Sequence, residues 1–137
     1  MFSYQRKVFY HETDKMAIVH HSNYLKWMEE ARVAFLESIG MPFEEVESRG
    51  IGSPVVEINV KYKKPAAFGD EVRVDIEITK YNGIKFEVDY AIVNVKNEEV
   101  LTTAHSSHCF LKDGAICSVK TEAPDYHEKL MAALSNT

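Results

Sequence analysis

Apolar and polar residues alternate along much of this chain, which is the pattern of β-strands that bury one face. The alternation is most regular over residues 56–62 and 72–79. Asn82-Gly83 is a strong two-residue hairpin signal, and Asp113-Gly114 marks another turn. Because tight turns join consecutive strands, we expect an antiparallel sheet. The predicted strands span residues 2–10, 56–62, 72–79, 84–95, 100–111 and 116–119.

The apolar period changes to that of a helix between residues 23 and 39. The 3–4 spacing is carried by Tyr24, Met28, Ala31, Phe35 and Ile39. Further apolar residues widen this stripe to about half of the helix circumference, so we expect neighbouring elements on more than one side. Ser22 or Asn23 can cap the helix start, and Gly40 and Pro42 end the helix.

One long apolar helix combined with one antiparallel sheet defines an α+β architecture. The simplest packing wraps the antiparallel sheet around this single central helix. A short helical turn at residues 42–48 and a C-terminal helix at 124–134 complete the predicted elements. The length fits one domain, which we assign to residues 1–137.

The composition is that of a chain able to build a hydrophobic core, with 45% hydrophobic and 27% charged residues. The net charge of -5 argues against broad polyanion binding, and the nearest basic cluster is the short stretch 61–64, so we expect no nucleic-acid partner. Neither an N-terminal apolar signal nor a run of about 18 apolar residues occurs, which predicts a cytoplasmic protein without membrane insertion. Cys109 and Cys117 are most simply free thiols.

The segment just before the predicted helix concentrates several reactive groups. Asp14 is followed by the adjacent His20 and His21, and then by the helix start. The first amides of a helix lack intrahelical acceptors and carry partial positive charge, so they can polarise a carbonyl group. A carboxylate beside them can activate water or attack the carbonyl itself. Together these groups favour acyl transfer.

A thioester is the acyl substrate that suits so few catalytic groups. The thiol of free cysteine has a pKa of about 8.5, so a thiolate departs without strong acid assistance. The chain has no G-x-S-x-G nucleophile motif, no P-loop and no dinucleotide-binding glycine motif. Simpler explanations stay open at this point: Asp14 as a surface-loop or capping residue, and His20 and His21 as solvated or packed loop residues.

A metal site is the other chemistry that these side chains suggest. Asp14, His20 and His21 are suitable ligand types, but adjacent histidines in an extended or turn segment point apart. His105 and His108 are three residues apart in a predicted strand, which directs them to opposite faces of the sheet. We therefore expect no metal site and no cofactor.

The motif around Asp14 makes the chain resemble the hotdog-fold acyl-CoA thioesterases, in particular the 4-hydroxybenzoyl-CoA thioesterase-like branch that includes the Tol-Pal-associated thioesterases. The likeness covers about residues 4–111, and residues 50–72 fit the family pattern of a polar strand, a proline break and Gly-Asp. Its specific part consists of Tyr10, Thr13, Asp14, Val19, His21, Asn23, Tyr24 and the stretch Glu30-Ala31-Arg32.

The resemblance implies an acyl-CoA thioester hydrolase that needs no cofactor. It also implies subunits joined edge to edge as a homodimer, often paired into a homotetramer, with the active site at the dimer interface. It assigns the catalytic carboxylate to Asp14 and further catalytic roles to His21 and Tyr10. Because a thiolate leaves with little acid assistance, we expect His21 to be secondary to Asp14. The amides that would position and polarise the thioester carbonyl belong to His21, Ser22, Asn23 and Tyr24.

Substrate binding is less clearly defined by this motif than catalysis. The family commonly has glycine where this chain has Ala17, so the turn after Asp14 carries an additional methyl group. Lys61, Lys63 and Lys64 are candidate contacts for CoA phosphates, and a solvated strand face explains these lysines equally well.

Two other functions stay open on sequence grounds. A hotdog hydratase or dehydratase would also act on acyl-CoA, but that branch usually has Asp and His five residues apart, a spacing that is absent here. A non-catalytic acyl-CoA-binding module would not need the carboxylate of Asp14, so substitution of Asp14 distinguishes such a module from an enzyme.

Overall fold

The computed structural model describes residues 1–135, and a five-stranded antiparallel sheet forms its frame. The strands of this sheet are β1 (Phe2–Lys7), β3 (Val55–Tyr62), β4 (Glu71–Tyr81), β5 (Lys85–Asn94) and β6 (Glu99–Cys109). Their spatial order is β1-β4-β5-β6-β3, so β1 and β3 are the two edges. A second, small sheet consists of β2 (Ile51–Gly52), β7 (Leu111–Lys112) and β8 (Ala115–Ile116).

Four α-helices accompany the sheets in the described residues. They are α1 (Ser22–Ser38), α2 (Phe43–Ser48), α3 (Val119–Glu122) and α4 (Pro124–Ser135). A single 3-10 turn, Tyr10–Glu12, lies between β1 and α1. None of the helices within residues 1–135 has both the length and the apolar character needed to cross a membrane.

The core lies between α1 and the inner face of the large sheet. Alternate side chains of β4 and β5 are buried there, namely Val72, Val74, Ile76, Ile78, Phe86, Val88, Tyr90 and Ile92. The buried apolar side chains of α1 are Tyr24, Trp27, Met28, Ala31 and Phe35. Full burial of one such large apolar side chain stabilises a fold by about 1.5–3 kcal/mol. The predicted α+β architecture, with an antiparallel sheet around one long helix, is confirmed.

The first strand ends earlier than the alternation predicts. β1 stops at Lys7, although the predicted strand continued to residue 10. The amide of Phe9 donates to the side-chain carboxylate of Glu12 at 2.9 Å, and this contact turns the chain into the 3-10 turn. Tyr10 is consequently 72% exposed instead of lying on the buried face of a strand.

The predicted strand at residues 116–119 is wrong in its second half. β8 ends at Ile116, which is exposed, and the chain then enters α3. Val119 is fully buried, and its amide donates to the carbonyl of Gly83 at 2.8 Å. The pattern misleads because two apolar residues three positions apart fit a helical turn as well as an irregular strand.

His105 and His108 lie on opposite faces of β6, as the strand period predicts. On the outer face, the ring nitrogens of His105 contact Asp89 at 2.5 Å and Glu87 at 2.7 Å. The hydrogen bond with Asp89 is the main reason why the pKa of His105 is raised. On the inner face, His108 is fully buried and stacks on Phe86, with ring centroids 4.6 Å apart. Burial lowers the pKa of His108 to about 4.

Candidate active site

Asp14 lies in the loop of residues 13–19, between the 3-10 turn and α1. An isolated bridge between Thr13 and Val19 closes this loop. Oδ1 of Asp14 accepts the amides of Met16 at 2.8 Å and Ile18 at 3.3 Å. Oδ2 of Asp14 has no hydrogen-bond donor within residues 1–135, and the side chain is exposed. One carboxylate oxygen therefore shapes the loop, while the other is available to a ligand.

Ala17 adopts the left-handed backbone conformation in this loop, with φ of 61°. Its amide donates to the carbonyl of Asp14, and its own carbonyl accepts the amide of Phe68, each at 3.0 Å. The left-handed conformation costs an alanine roughly 1–2 kcal/mol, whereas glycine adopts it without a steric penalty. The backbone geometry at this position thus favours glycine, the residue that the family resemblance implies here.

The buried carboxylate of Glu12 connects the start of this loop to β1 and α1. It is buried, with a residue exposure of 5%. Its Oε2 accepts the indole N–H of Trp27 at 2.8 Å, and its Oε1 accepts Nη2 of Arg6 at 2.8 Å and the amide of Phe9 at 2.9 Å. Burial by itself raises the pKa of Glu12, but the hydrogen bonds from Trp27 and Phe9 and the charge of Arg6 outweigh it and lower the pKa. Glu12 is therefore ionised at neutral pH.

The backbone of Glu12 also holds the start of α1. Its carbonyl accepts the amide of His20 at 3.0 Å and the side-chain amide of Asn23 at 2.9 Å. The prediction that Ser22 or Asn23 caps the helix is wrong. Asn23 uses its side chain as a donor to Glu12, and the hydroxyl of Ser22 pairs with the ring of His20 at 2.8 Å. His21 occupies the cap position and makes no side-chain capping bond.

The amides at the start of α1 differ in their availability. The amide of Ser22 donates to the ring of His20 at 3.2 Å, and that of Asn23 donates to the carbonyl of His20 at 3.0 Å. The amide of Tyr24 donates to the carbonyl of His21 at 3.2 Å. The amide of His21 has no acceptor in the described part of the chain. Among the four predicted carbonyl-binding amides, this one is open to a ligand.

A cleft of about 250 Å³ lies beside the helix start. Its walls are formed by Val19, His21, Tyr24, Tyr62, Lys63, Lys64 and Pro65. The ring of Tyr62 contacts His21 edge to face at 5.9 Å and Tyr24 at 5.6 Å between centroids. The buried hydroxyl of Tyr24 accepts the amide of Ala66 at 2.9 Å, and burial raises the pKa of Tyr24. Tyr24 is thus a fixed part of the wall that joins α1 to the end of β3.

Of the three predicted phosphate-binding lysines, one lies within β3 and two follow its end. Lys63 and Lys64 line the cleft, and Lys64 also pairs with Glu99 at 3.1 Å. Lys61 points to the outer face of the sheet, where it borders a depression together with Asn59. Within one chain, the structure brings only two of the three lysines to the site.

Tyr10 does not line the cleft of its own chain. Its ring packs edge to face against Phe68 at 5.6 Å, and its carbonyl accepts the hydroxyl of Thr13 at 2.7 Å. Of the three residues assigned to catalysis, His21 lines the cleft, whereas Asp14 lies in the exposed loop before α1 and Tyr10 on the exposed side of the preceding turn.

Glu12, Arg6 and Trp27 support the site and are absent from the sequence-based assignment. One signal was available, because Arg6 interrupts the apolar alternation of β1. Its side chain is only 7% exposed, and a buried cation requires a partner of opposite charge. The partner could not be chosen from the sequence, since the chain offers many carboxylates and the pairing depends on the 3-10 turn.

Solved structures identify the class of protein that this fold and site define. The DHNA-CoA thioesterase from Staphylococcus aureus matches with a TM-score of 0.90 and 32% identity, over 98% of this chain and 92% of that chain. A hypothetical protein from Aquifex aeolicus matches with a TM-score of 0.85 and 32% identity, over 92% of this chain and 98% of that chain. The fold is that of the hotdog thioesterases.

Comparison of sequences leads to the same class. The family described as the Thioesterase-like superfamily matches residues 8–134. The "Putative acyl-CoA thioesterase YneP" of Bacillus subtilis is 38% identical over 122 residues, which cover 88% of each chain. The 1,4-dihydroxy-2-naphthoyl-CoA hydrolase of Synechocystis is 28% identical over 108 residues, which cover 78% of each chain. This chain belongs to the Thioesterase-like superfamily, and it is a thioester hydrolase.

Replacement of Glu12 by Gln should destabilise the protein by about 3 kcal/mol. Breaking a buried ion pair typically costs 3–5 kcal/mol, and we expect the lower end of this range because Arg6 keeps its contact with Glu30. Glu30→Gln is the matched control, since it removes an exposed carboxylate from the same cation and should cost about 1 kcal/mol or less. Urea denaturation of the three proteins measures both values. Equal losses for the two variants would contradict the anchoring role of Glu12.

Proposed function

We propose that this enzyme hydrolyses acyl-CoA thioesters at the junction between the Asp14 loop and α1. The observation that carries the proposal is an open carboxylate oxygen on Asp14, in the loop closed by the bridge between Thr13 and Val19, together with an unpaired amide on His21 two residues after that loop. Thioester hydrolysis requires a base for water and a donor for the developing oxyanion. The CoA-containing names of the Bacillus and Synechocystis relatives support CoA as the carrier.

In the proposed reaction, Oδ2 of Asp14 takes a proton from water while the water oxygen attacks the carbonyl carbon. Negative charge develops on the carbonyl oxygen, and the amide of His21 donates a hydrogen bond to it, assisted by the dipole of α1. The tetrahedral intermediate then collapses, the C–S bond breaks, and sulfur leaves as a thiolate. The proton on Asp14 passes to the thiolate or to water, which restores the carboxylate. A simple thiol has a pKa of about 8.5, so this leaving group needs no strong acid.

Direct attack by the carboxylate would use the same geometry. Oδ2 of Asp14 would then form a mixed anhydride with the acyl group as the thiolate leaves, and water would open the anhydride to release the acid. The imidazole of His21 has a secondary role in either route. Its ring stacks on His20 at 4.3 Å and meets Tyr62, and these contacts orient it as part of the cleft wall.

The same proposal assigns the CoA phosphates to the mouth of the cleft. Lys63 and Lys64 line the cleft and carry the charge that attracts phosphate. Lys61 is excluded from this contact within one chain because it lies on the outer face of β3.

A homodimer that joins the two β3 edges fits the surface of this strand. β3 pairs with β6 on one side and has no paired strand on the other within residues 1–135. It also exposes apolar side chains, with Val55 43%, Val56 62% and Tyr62 48% exposed. An exposed apolar edge strand is a template for pairing with another chain. Because Tyr62 lies at the end of β3 and lines the cleft, the cleft would lie at this interface. The homotetramer implied by the family resemblance stays a prediction.

Asp14→Asn should lower kcat by about 10²–10⁴-fold, the typical effect of losing a general base. The amide oxygen of Asn can still accept the amides of Met16 and Ile18, so the loop should keep its shape. Binding of a non-hydrolysable thioether analogue should change little, because the charge acts mainly in the transition state. His21→Ala is the control and should reduce kcat less. Near-full kcat in the Asn variant would exclude Asp14 as base or nucleophile, and a greater loss for the histidine variant would reverse the assigned roles.

Lys63→Glu should raise KM for acyl-CoA while kcat changes little. Contacts with remote phosphates bind ground and transition states alike, so their loss appears mainly in KM. Lys61→Glu is the matched control, since it makes the same charge change on the outer face of β3, away from the cleft. Steady-state kinetics at low salt measures the effect. An unchanged KM for Lys63→Glu, or equal increases for both variants, would count against the contact.

Val56→Asp should convert the dimer to monomers, because it places a charge on each of the joined β3 edges in place of an exposed apolar side chain. Ile116→Asp is the control, since Ile116 is 71% exposed on β8 and lies outside the proposed interface. Sedimentation velocity distinguishes the two states. A monomeric unsubstituted protein would overturn the assembly.

A further inference from the structure

Arg32 is a cation without an ionic partner on the inner side of α1. It is half-buried, and its Nη1 donates to the hydroxyl of Tyr90 at 3.0 Å. No carboxylate lies within 4.0 Å of its guanidinium in residues 1–135. Arg6, by comparison, contacts two carboxylates. A guanidinium has five N–H donors, so Arg32 keeps most of its donors available.

A chain of hydrogen bonds holds the guanidinium of Arg32 in place from behind. The hydroxyl of Tyr90 contacts Oγ of Ser106 at 2.6 Å, and that oxygen contacts Nε2 of His108 at 2.7 Å. Nδ1 of His108 contacts the carbonyl of Ser53 at 3.3 Å. These contacts assign one consistent direction, in which neutral His108 donates through Nδ1, Ser106 donates to His108, Tyr90 donates to Ser106, and Arg32 donates to Tyr90.

This network needs only one N–H of Arg32, the one that the hydroxyl of Tyr90 accepts. The remaining donors of Arg32 are not needed by the buried network and are free to bind another group. Because Tyr90 fixes one end of the guanidinium, a ligand oxygen meets a donor whose position is already set, which reduces the entropy lost on binding.

The position of Arg32 relative to the cleft follows from two elements that run side by side. Tyr24 and Arg32 are eight residues apart on α1, which corresponds to about 12 Å. On β6, Thr102 pairs with Tyr62 at the cleft, and Ser106 lies four residues further on, which corresponds to about 13 Å. The two paths agree, so Arg32 lies about 12–13 Å from Tyr24 and Tyr62 in the cleft wall, on the same inner face, and about 16 Å along α1 from the amide of His21.

The surface between these two ends is apolar. Val60 and Ala104 pair across β3 and β6 on the inner face, and both are only half-buried in one chain. Ile58, the next inward residue of β3, pairs with Ser106 and is also half-buried. An acyl group that extends from the cleft along this surface meets hydrocarbon first and then the free donors of Arg32.

We propose that Arg32 is a specificity residue that binds an oxygen acceptor at the far end of the acyl group, and a carboxylate above all. The inference rests on the proposed acyl-CoA hydrolysis and names a substrate class for the same site. Among oxygen acceptors, a carboxylate matches an unpaired guanidinium best because it compensates the charge and accepts two parallel N–H bonds. A methyl end would leave these donors without an acceptor and partly desolvated.

The test compares acyl-CoA esters of equal chain length that end in methyl, hydroxyl or carboxylate, over a series of lengths, with release of free thiol as the readout. For the best length, kcat/KM should be highest for the carboxylate end. Arg32→Met should lower kcat/KM for that ester by about 10- to 100-fold, the range of a charged hydrogen bond, and leave the methyl-ended ester nearly unchanged. Arg32→Lys keeps the charge without the planar fork and should retain part of the preference.

Two results would overturn the inference while acyl-CoA hydrolysis stands: a preference of the unsubstituted enzyme for the methyl end at every length, or equal loss for both esters in Arg32→Met. If the same variant also becomes monomeric in sedimentation, Arg32 binds the second copy instead of the substrate. Hydrolysis of no acyl-CoA by the unsubstituted enzyme would overturn the proposed function itself. Tyr90→Phe removes the tether and keeps the cation, so it should weaken the preference for carboxylate without abolishing it.

Discussion

The buried ion pair between Arg6 and Glu12 is the interaction on which the site geometry depends. It joins three parts of the chain, since Arg6 lies on β1, Glu12 in the 3-10 turn, and Trp27 on α1. Desolvation of both charges is costly, and only dense hydrogen bonding offsets that cost. Here each oxygen of Glu12 has a donor, while its carbonyl holds the residues just before and at the start of α1. These contacts of Glu12 fix the backbone on both sides of the segment that carries Asp14 and the amide of His21.

The two edge strands of the large sheet differ in the polarity of their exposed side chains. On β1, the polar side chains Ser3 and Gln5 hydrogen-bond to carboxylates of β4, and this polar edge discourages further pairing. On β3, valines and a tyrosine are exposed instead. This asymmetry directs association to the edge that also carries the cleft, so one surface serves both assembly and substrate access in the proposed function.

Most elements of the fold follow from the period of apolar residues, because α1, β4 and β5 bury one regular face each. The hairpin at Asn82-Gly83 was also predictable, since the side chain of Asn82 accepts the amides of Ile84 and Lys85. Two predictions failed where Glu12, three residues after Phe9 and eleven before Asn23, determines the local structure. The contact of Glu12 with the amide of Phe9 ends β1, and the same residue takes Asn23 away from capping. The assignment of one domain to residues 1–137 stays a prediction.

The site was predictable in part, and for a chemical reason. A carboxylate just before a helix start can be recognised from local sequence, because both groups lie within one short segment. Arg32 belongs to the motif that carries the family resemblance, but its network and its proposed role could not be recognised in this way. Its partners Tyr90, Ser106 and His108 come from two other strands, and their contacts exist only after the sheet has formed.

The two histidines of β6 change the pH dependence of folding stability in opposite directions. One lies on the inner face of the sheet and the other on the outer face. His108, with a pKa of about 4 when buried, is neutral in the fold, whereas its unfolded pKa is about 6.5. Between these pH values the unfolded chain binds a proton at His108 that the folded chain does not. The free energy of unfolding therefore decreases as pH falls. His105 has a raised pKa and acts in the opposite direction, favouring the fold as pH falls. Solvent screens the exposed His105, so the buried ring determines the net sign, and acid weakens the fold from within its core.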